Sequence, residues 1–274
     1  MKLARPDTFH PRIVLTGEPQ DAAGDDGGLV AALRTRGLHA RWLPWDDPET
    51  ATADLVILRS ARGHASRLDR FLSWTQAVPN LLNPPAVVAW NSDRRYRDDL
   101  AERGVPMLPA TRYAVGDDIR LARGDHYFVG ASGTGTRRFS DRSAAQRYIA
   151  ECHQAGQDVW VQSAQTAPET VLVFLGGKPS HAFVTTGDAL HQGDADFEQW
   201  DAGAAPLTAA PGELLYARVH LVGKRVLELE LIDPSLGWLR LDVQTRGLAQ
   251  RQFALAVESA LERLGLGPLS HRRP

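Results

Sequence analysis

The sequence predicts an α/β N-terminal unit followed by an antiparallel, hairpin-rich α+β domain. Three observations predict it. Over the first hundred residues, short apolar runs alternate with segments of helical spacing, the pattern of a parallel α/β unit. From residue 126 onwards, apolar runs flank glycine-bearing turns, which is hairpin chemistry. Between the two regions Asn83-Pro84-Pro85 breaks the chain.

Each element has its own reason. RIVLTG (12–17) is an apolar run stopped by glycine, and LVAALRTRG (29–37) has helical spacing with a glycine stop. HARWLPW (39–45) reads as a second strand. DLVILRS (54–60) reads as a third, nearly all apolar like a buried parallel strand. SRLDRFLSWTQAV (66–78) places Leu68, Phe71, Leu72 and Val78 near one helical stripe, with Ser66 as its N-cap. The domain transition falls at 84–112, where Ser92 or Asp93 caps a helix that Gly104 ends. HYFVGASGTGTRRFS (126–140) is strand, glycine-rich turn and strand; SAAQRYIAECHQAG (143–156) is a helix, and strand DVWVQS follows. ETVLVFL and PSHAFVT flank the turn Gly176-Gly177. Residues 185–212, rich in Gly, Ala, Asp and Pro, read as a long surface loop. LLYARVHLVGKRVLELELID is another hairpin, and 247–265 is a closing helix with Phe253, Val257 and Leu261 on one stripe.

Composition bounds the function. The 274 residues, 43% hydrophobic, suffice for a real core. The formal charge of −2 offers no global field for nucleic acid or an anionic membrane, so neither is an expected partner. The only basic cluster is the tail His271-Arg272-Arg273, read as a frayed end. A single cysteine, Cys152, excludes an internal disulfide framework and fits a reducing compartment. With no signal-peptide pattern at its start and no apolar run long enough to span a bilayer, the chain reads as soluble and cytoplasmic. Lys2, Lys178 and Lys224 are the only lysines among 31 basic residues.

The hairpin RVLELELIDPSLG carries the clearest chemical signal. Alternation puts Glu228 and Glu230 on one face and Leu227, Leu229 and Leu231 on the other. A two-residue turn at Gly223-Lys224 would set His220 opposite Leu227, whereas a three-residue loop, Gly223 to Arg225, sets His220 opposite Glu228 and Arg218 opposite Glu230. The face pattern favours the longer loop. Such a face is either a solvated, paired sheet surface or a hard-cation site for Mg²⁺ held mainly through ligand phosphates. GASGTGT (130–136) offers consecutive backbone N–H groups to a phosphate, or is simply a turn; neither a P-loop nor a dinucleotide fingerprint follows it. Arg59-Ser60 ends a buried strand, where ligands gather in α/β sheets, or is an ordinary strand exit. No GxSxG, HExxH or CxxC is present, and His181 after Ser180 is a lone histidine.

The order of these pieces resembles the ATP-grasp superfamily, in the glutathione-synthetase-like branch that includes the D-cycloserine-forming cyclo-ligase. NPPAVVAWNSDRRY, GGKPSHAF and YARVHL…ELELIDPSL carry the resemblance, which runs over nearly the whole chain. It implies a pre-ATP-grasp α/β domain (1–84), a linker helix region (85–112), and an ATP-grasp domain of two subdomains with antiparallel sheets. These are 113–163, with the glycine-rich flap, and 164–270. It also implies ATP and Mg²⁺ as cofactors and a carboxylate–amine ligase reaction through an acyl phosphate. The substrate would be a small, amino-acid-like molecule bearing a carboxylate and an amine; a homodimer stays open.

By position, the resemblance assigns Glu228, Glu230 and His220 to the metal, and Arg218 to phosphate and catalysis. It assigns His126, Gly133, Gly135 and Gln162 to the nucleotide, and Arg59, Ser60, Ser180 and His181 to the substrate. The departures cluster at the nucleotide site. His126 stands where the pattern has a phosphate lysine, and His220 where it has the first metal-binding aspartate. Arg94 replaces a lysine, Glu198 replaces an arginine, and a further lysine is missing near Thr185. RSTWDY has become RSARGH, and APLTAAPGEL shows no stripe for the helix implied before LLYARV. An alternative follows: a catalytically degenerate ATP-grasp protein acting as a binding or partner protein. A third reading has His126, His220 and Glu228 bind a transition metal.

Overall fold

The structure is a computed structural model that describes residues 10–18, 24–131, 135–164, 168–186 and 189–267. Gly133 and the tail His271-Arg272-Arg273 lie outside the described residues.

The first sheet is parallel, with strands β1 (Ile13–Thr16), β2 (Ala40–Leu43), β3 (Leu55–Ile57) and β4 (Leu81–Leu82) in the order β2-β1-β3-β4. Every residue of β3 is buried, as its unbroken apolar run requires of a strand covered on both faces. Helices α1 (Leu29–Thr35) and α2 (Leu68–Ala77) supply the crossovers. Ser66 is not the cap of α2. It lies in a short 3-10 turn, Ala65–Arg67, and its hydroxyl donates to the Gly63 carbonyl at 3.0 Å. The prolines after Asn83 start a helix: Pro84 is the N-cap of α3 (Pro85–Ser92) and Pro85 its first residue, where a missing N–H costs nothing. Helix α4 (Tyr96–Glu102) follows and ends at Gly104, whose φ is +81°.

The second sheet is antiparallel, β5-β8-β6-β7, built from β5 (Thr111–Tyr113), β6 (His126–Ala131), β7 (Arg137–Phe139) and β8 (Val159–Ala164), with helix α5 (Arg142–Gln154) against it. The third, also antiparallel, runs β11-β10-β9-β12-β13, from β9 (Glu169–Leu175), β10 (Lys178–Thr186), β11 (Ala189–Gly193), β12 (Tyr216–Val222) and β13 (Arg225–Glu230). Gly176 and Gly177, at φ +61° and +73°, make the tight β9–β10 turn.

The stretch 185–212 is not a loop. It holds the end of β10, strand β11 and helix α6 (Phe197–Ala209), which the missing stripe had argued against. Asp196 and Gln199 form a reciprocal capping box at its start. Gly203 lets α6 lie on the sheet, since a Cβ there would sit 2.5 Å from Leu172 Cδ1.

The β12–β13 hairpin keeps the predicted pairs, Arg218 opposite Glu230 and His220 opposite Glu228. Its turn, however, spans only Gly223-Lys224. A register shift between His220 and Leu221 leaves Leu227 as the extra residue, so a β-bulge restores the faces that a longer loop was expected to restore.

As an edge strand, β13 has backbone groups facing away from β12. Those groups go to residues 83–108. Asn91 donates to Leu229 O at 2.9 Å and accepts from Leu231 N at 3.0 Å, and Leu229 N donates to the Tyr96 hydroxyl at 3.2 Å. Asn83 donates to Leu231 O at 2.9 Å, and Val226 pairs in both directions with Pro106 O and Leu108 N, each at 2.8 Å. The core joins sheets one and three: Ile13, Leu29, Leu33 and Ile57 pack with Val173, Phe183, Trp238 and Phe253.

Candidate nucleotide and metal site

Alternation on β12 and β13 gathers Arg218, His220, Glu228 and Glu230, and the first residue of β9, Glu169, joins them. Glu228 is 6% exposed. Arg94 Nη2 lies 2.9 Å from one of its oxygens, and Thr136 N donates to the other at 3.3 Å. Arg94 also donates to Thr136 Oγ1 at 3.0 Å and to Ala131 O at 3.3 Å.

His220 is clasped between two carboxylates, with Nδ1 2.5 Å from Glu169 Oε1 and Nε2 3.3 Å from Glu230 Oε2. Burial opposes charge on the ring, but Glu230 and Glu169 outweigh it and raise the imidazole to about 9. His220 is therefore a cation at neutral pH, donating from both nitrogens. Burial would raise Glu230, yet His220 and then Arg218, 3.3 Å away, hold it below the usual carboxylate range. Glu169 is held low in the same way, its burial outweighed by His220.

Glu169, Glu228 and Glu230 are thus matched by Arg94, Arg218 and His220. Mg²⁺ requires several oxygen donors in near-octahedral array. Here the position expected to give an oxygen gives an imidazole whose two nitrogens are both engaged by carboxylates, and both strand carboxylates already hold protein cations. Among the described residues no three His, Cys, Asp or Glu side chains converge to hold a metal. The residues present do not fit Mg²⁺, and His126, His220 and Glu228 do not gather around a transition metal.

His126 begins β6, and Arg138 Nη2 donates to its Nε2 at 3.1 Å. Gln162, 1% exposed on β8, donates to the bulge carbonyl of Leu227 at 3.1 Å. Beside it Leu108, Phe128, Val222 and Leu227 pack between the second and third sheets. Gly135 lines a cavity of about 160 Å³ together with Asn91, Ser92, Arg94, Glu228 and Glu230.

The predicted substrate residues do not join this group. Arg59 is 2% exposed; it pairs with Asp26 at 2.9 Å, donates to Pro234 O at 2.8 Å and stacks on Tyr216. Its charge is matched inside the fold by Asp26, while its Nη1 is buried without a hydrogen-bond partner among the described residues. Ser60 borders a separate cavity of about 170 Å³ with Trp45, Asp46 and Arg67. His181 is a core histidine, 5% exposed, donating from Nε2 to Leu236 O at 2.7 Å and accepting from the Ser180 hydroxyl at 3.0 Å. Burial lowers its pKa. Glu169, Thr136 and Asn91 were missed. Only Glu169 carried a signal: it opens ETVLVFL, an apolar strand with no other polar residue but Thr170.

The parallel sheet followed by two antiparallel sheets that face each other defines an ATP-grasp protein. The crystal structure of D-cycloserine synthetase DcsG superposes with a TM-score of 0.74 at 28% identity, over 91% of this chain and 99% of that one. Fold alone is shared with D-alanine–D-alanine ligase from Bacillus anthracis complexed with ATP (TM-score 0.68, 13% identity, 93% and 98% covered). The same holds for the ATP-grasp ligase PsnB complexed with a precursor variant, Mg and ADP (0.60, 14%, 91% and 99%). Residues 12–83 match the model of the D-cycloserine synthetase DcsG N-terminal domain. The cycloserine biosynthesis protein DcsG of Streptomyces lavendulae is 31% identical over 256 aligned positions, covering 76% of this chain and 86% of that protein. The chain belongs to the DcsG family. Among the described residues no helix is long and apolar enough to cross a membrane.

Proposed function

We propose that this chain is a degenerate member of the ligase family, one that binds a ligand or partner and does not turn over Mg-ATP. The observation that carries this reading is the Glu169–His220–Glu230 triad, in which an imidazole bonded through both nitrogens stands at a position the resemblance gives to a metal-binding carboxylate. Phosphoryl transfer to a carboxylate needs cations arranged around the moving phosphoryl oxygens. In this site Arg94, Arg218 and His220 are spent on the protein's own carboxylates.

A second reading, an ATP-dependent carboxylate–amine ligase acting on a small amino-acid-like substrate, is favoured by membership of the DcsG family. In it Glu228 and Glu230 would hold Mg²⁺, Arg218, Gln162, Gly133 and Gly135 would hold ATP, and the ion pairs described above would have to open. A phosphate-release screen over amino acids with Mg-ATP separates the two. The expected result is no release above background from the wild type. Amino-acid-dependent release that Arg218→Ala abolishes would establish the ligase instead.

A further inference from the structure

We propose that the Arg94 guanidinium is the built-in counter-cation of Glu228 and keeps a divalent metal off the Glu228–Glu230 face. Three features of the molecule support this. Arg94 is 4% exposed and fixed at every branch of its guanidinium, to Glu228, to Thr136 Oγ1 and to Ala131 O. Its place is prepared by β6, because a Cβ at Gly130 would lie 2.4 Å from Arg94 Cζ. No side chain larger than glycine leaves room for the guanidinium there, so the two residues form one device across 36 positions of sequence. Third, the other oxygen of Glu228 is taken by Thr136 N, and Glu230 is shared by Arg218 and His220, so neither carboxylate presents two free oxygens.

A metal ion entering this face would have to expel a buried guanidinium and meet the positive charge of Arg218 as well. Both losses fall on the incoming ion in a site largely shut from water, where charge repulsion is weakly screened. The inference rests on the proposed function, since the ligase reading has Glu228 and Glu230 hold Mg²⁺.

Mn²⁺, read by electron paramagnetic resonance on the full chain, tests it without any activity measurement. The wild type is expected to leave the free Mn²⁺ signal unchanged at millimolar metal. The double variant Arg94→Ala/His220→Asp is expected to take up one Mn²⁺ per chain, and adding Glu228→Gln should weaken that uptake tenfold or more. Wild-type uptake of one Mn²⁺ that Glu228→Gln abolishes would overturn the proposal, and so would a folded double variant that binds none. Circular dichroism establishes folding, and the wild-type arm decides even if a variant unfolds. Phosphate release from Mg-ATP that Glu228→Gln leaves unchanged would sink the proposed function and leave this inference intact, whereas release that Glu228→Gln abolishes would overturn both.

Discussion

A charged imidazole between two carboxylates gives the β12–β13 face its own pH dependence. His220 is raised to about 9 in the fold, against about 6.5 in an unfolded chain. Its contribution to stability is therefore complete below about pH 6.5 and is lost as the pH rises through 9. Glu230 is shifted the other way; its contribution is present above its unfolded value and is lost as the pH falls through its depressed folded one. The wild type should lose stability between pH 6.5 and 9 on the order of 2 kcal/mol, measured as a falling midpoint in urea titrations. His220→Gln should start lower and show a flatter slope over that interval. An equally steep slope in the variant would mean that the triad does not titrate as described.

At the scale of the element, the motif NPPAVVAWNSDRRY has a structural reason that the sequence alone did not reveal. Asn83, Asn91 and Tyr96 satisfy the free edge of β13, the strand that displays Glu228 and Glu230. Asn83 is fully buried and serves three backbone groups: Tyr216 O at 3.0 Å, Leu231 O at 2.9 Å and Leu215 N at 2.7 Å. Asn83→Ala should cost about 3 kcal/mol or more, at about 1–3 kcal/mol for each buried group left without a partner. Calorimetric unfolding measures it, and a loss under about 1 kcal/mol would show that water replaces the side chain.

Helix α6 makes a second case. Gly203→Ala gains up to about 1 kcal/mol of helix propensity, but the new methyl meets Leu172, which is itself fully buried and cannot retreat. A net destabilisation of about 1–2 kcal/mol is expected from denaturant titration. The same helix marks where reading by pattern stops. Its composition is that of a loop and Pro206 lies inside it, yet the Asp196-x-x-Gln199 box announced its start. Alternation placed Arg218 and His220 opposite the glutamates because a period of two is local information. The bulge at Leu227 left those pairs intact while changing the turn. The Arg94–Glu228 contact was beyond such reasoning, since it joins residues 134 positions apart through a gap made by Gly130.

For the molecule as a whole, the N-terminal unit does not possess a core of its own on both faces of its sheet. Leu29 and Leu33 of α1 and Ile13, Leu15 and Ile57 of the strands pack with Trp238 and with Phe253 and Val257 of α7 (Val243–Arg263). Polar contacts bind the same two parts: Arg36 to Glu258, and Gln250 Nε2 to Gly27 O at 2.9 Å. Arg59 extends this seam, pairing with Asp26 and reaching Pro234 O. Sequence reading found both units but not the core they share, because a stripe on a helix shows that a partner exists and not which one. If the core is shared, the first sheet and α7 unfold together. Phe253→Ala, removing a fully buried ring, should cost about 3–5 kcal/mol and lower one common transition seen by tryptophan fluorescence and by circular dichroism. A fragment ending at residue 84 should then remain unfolded in isolation, its α1 face being bare without α7. A biphasic curve in which Phe253→Ala moves only one phase, or a fragment with a cooperative transition of its own, would show the N-terminal unit to be independent.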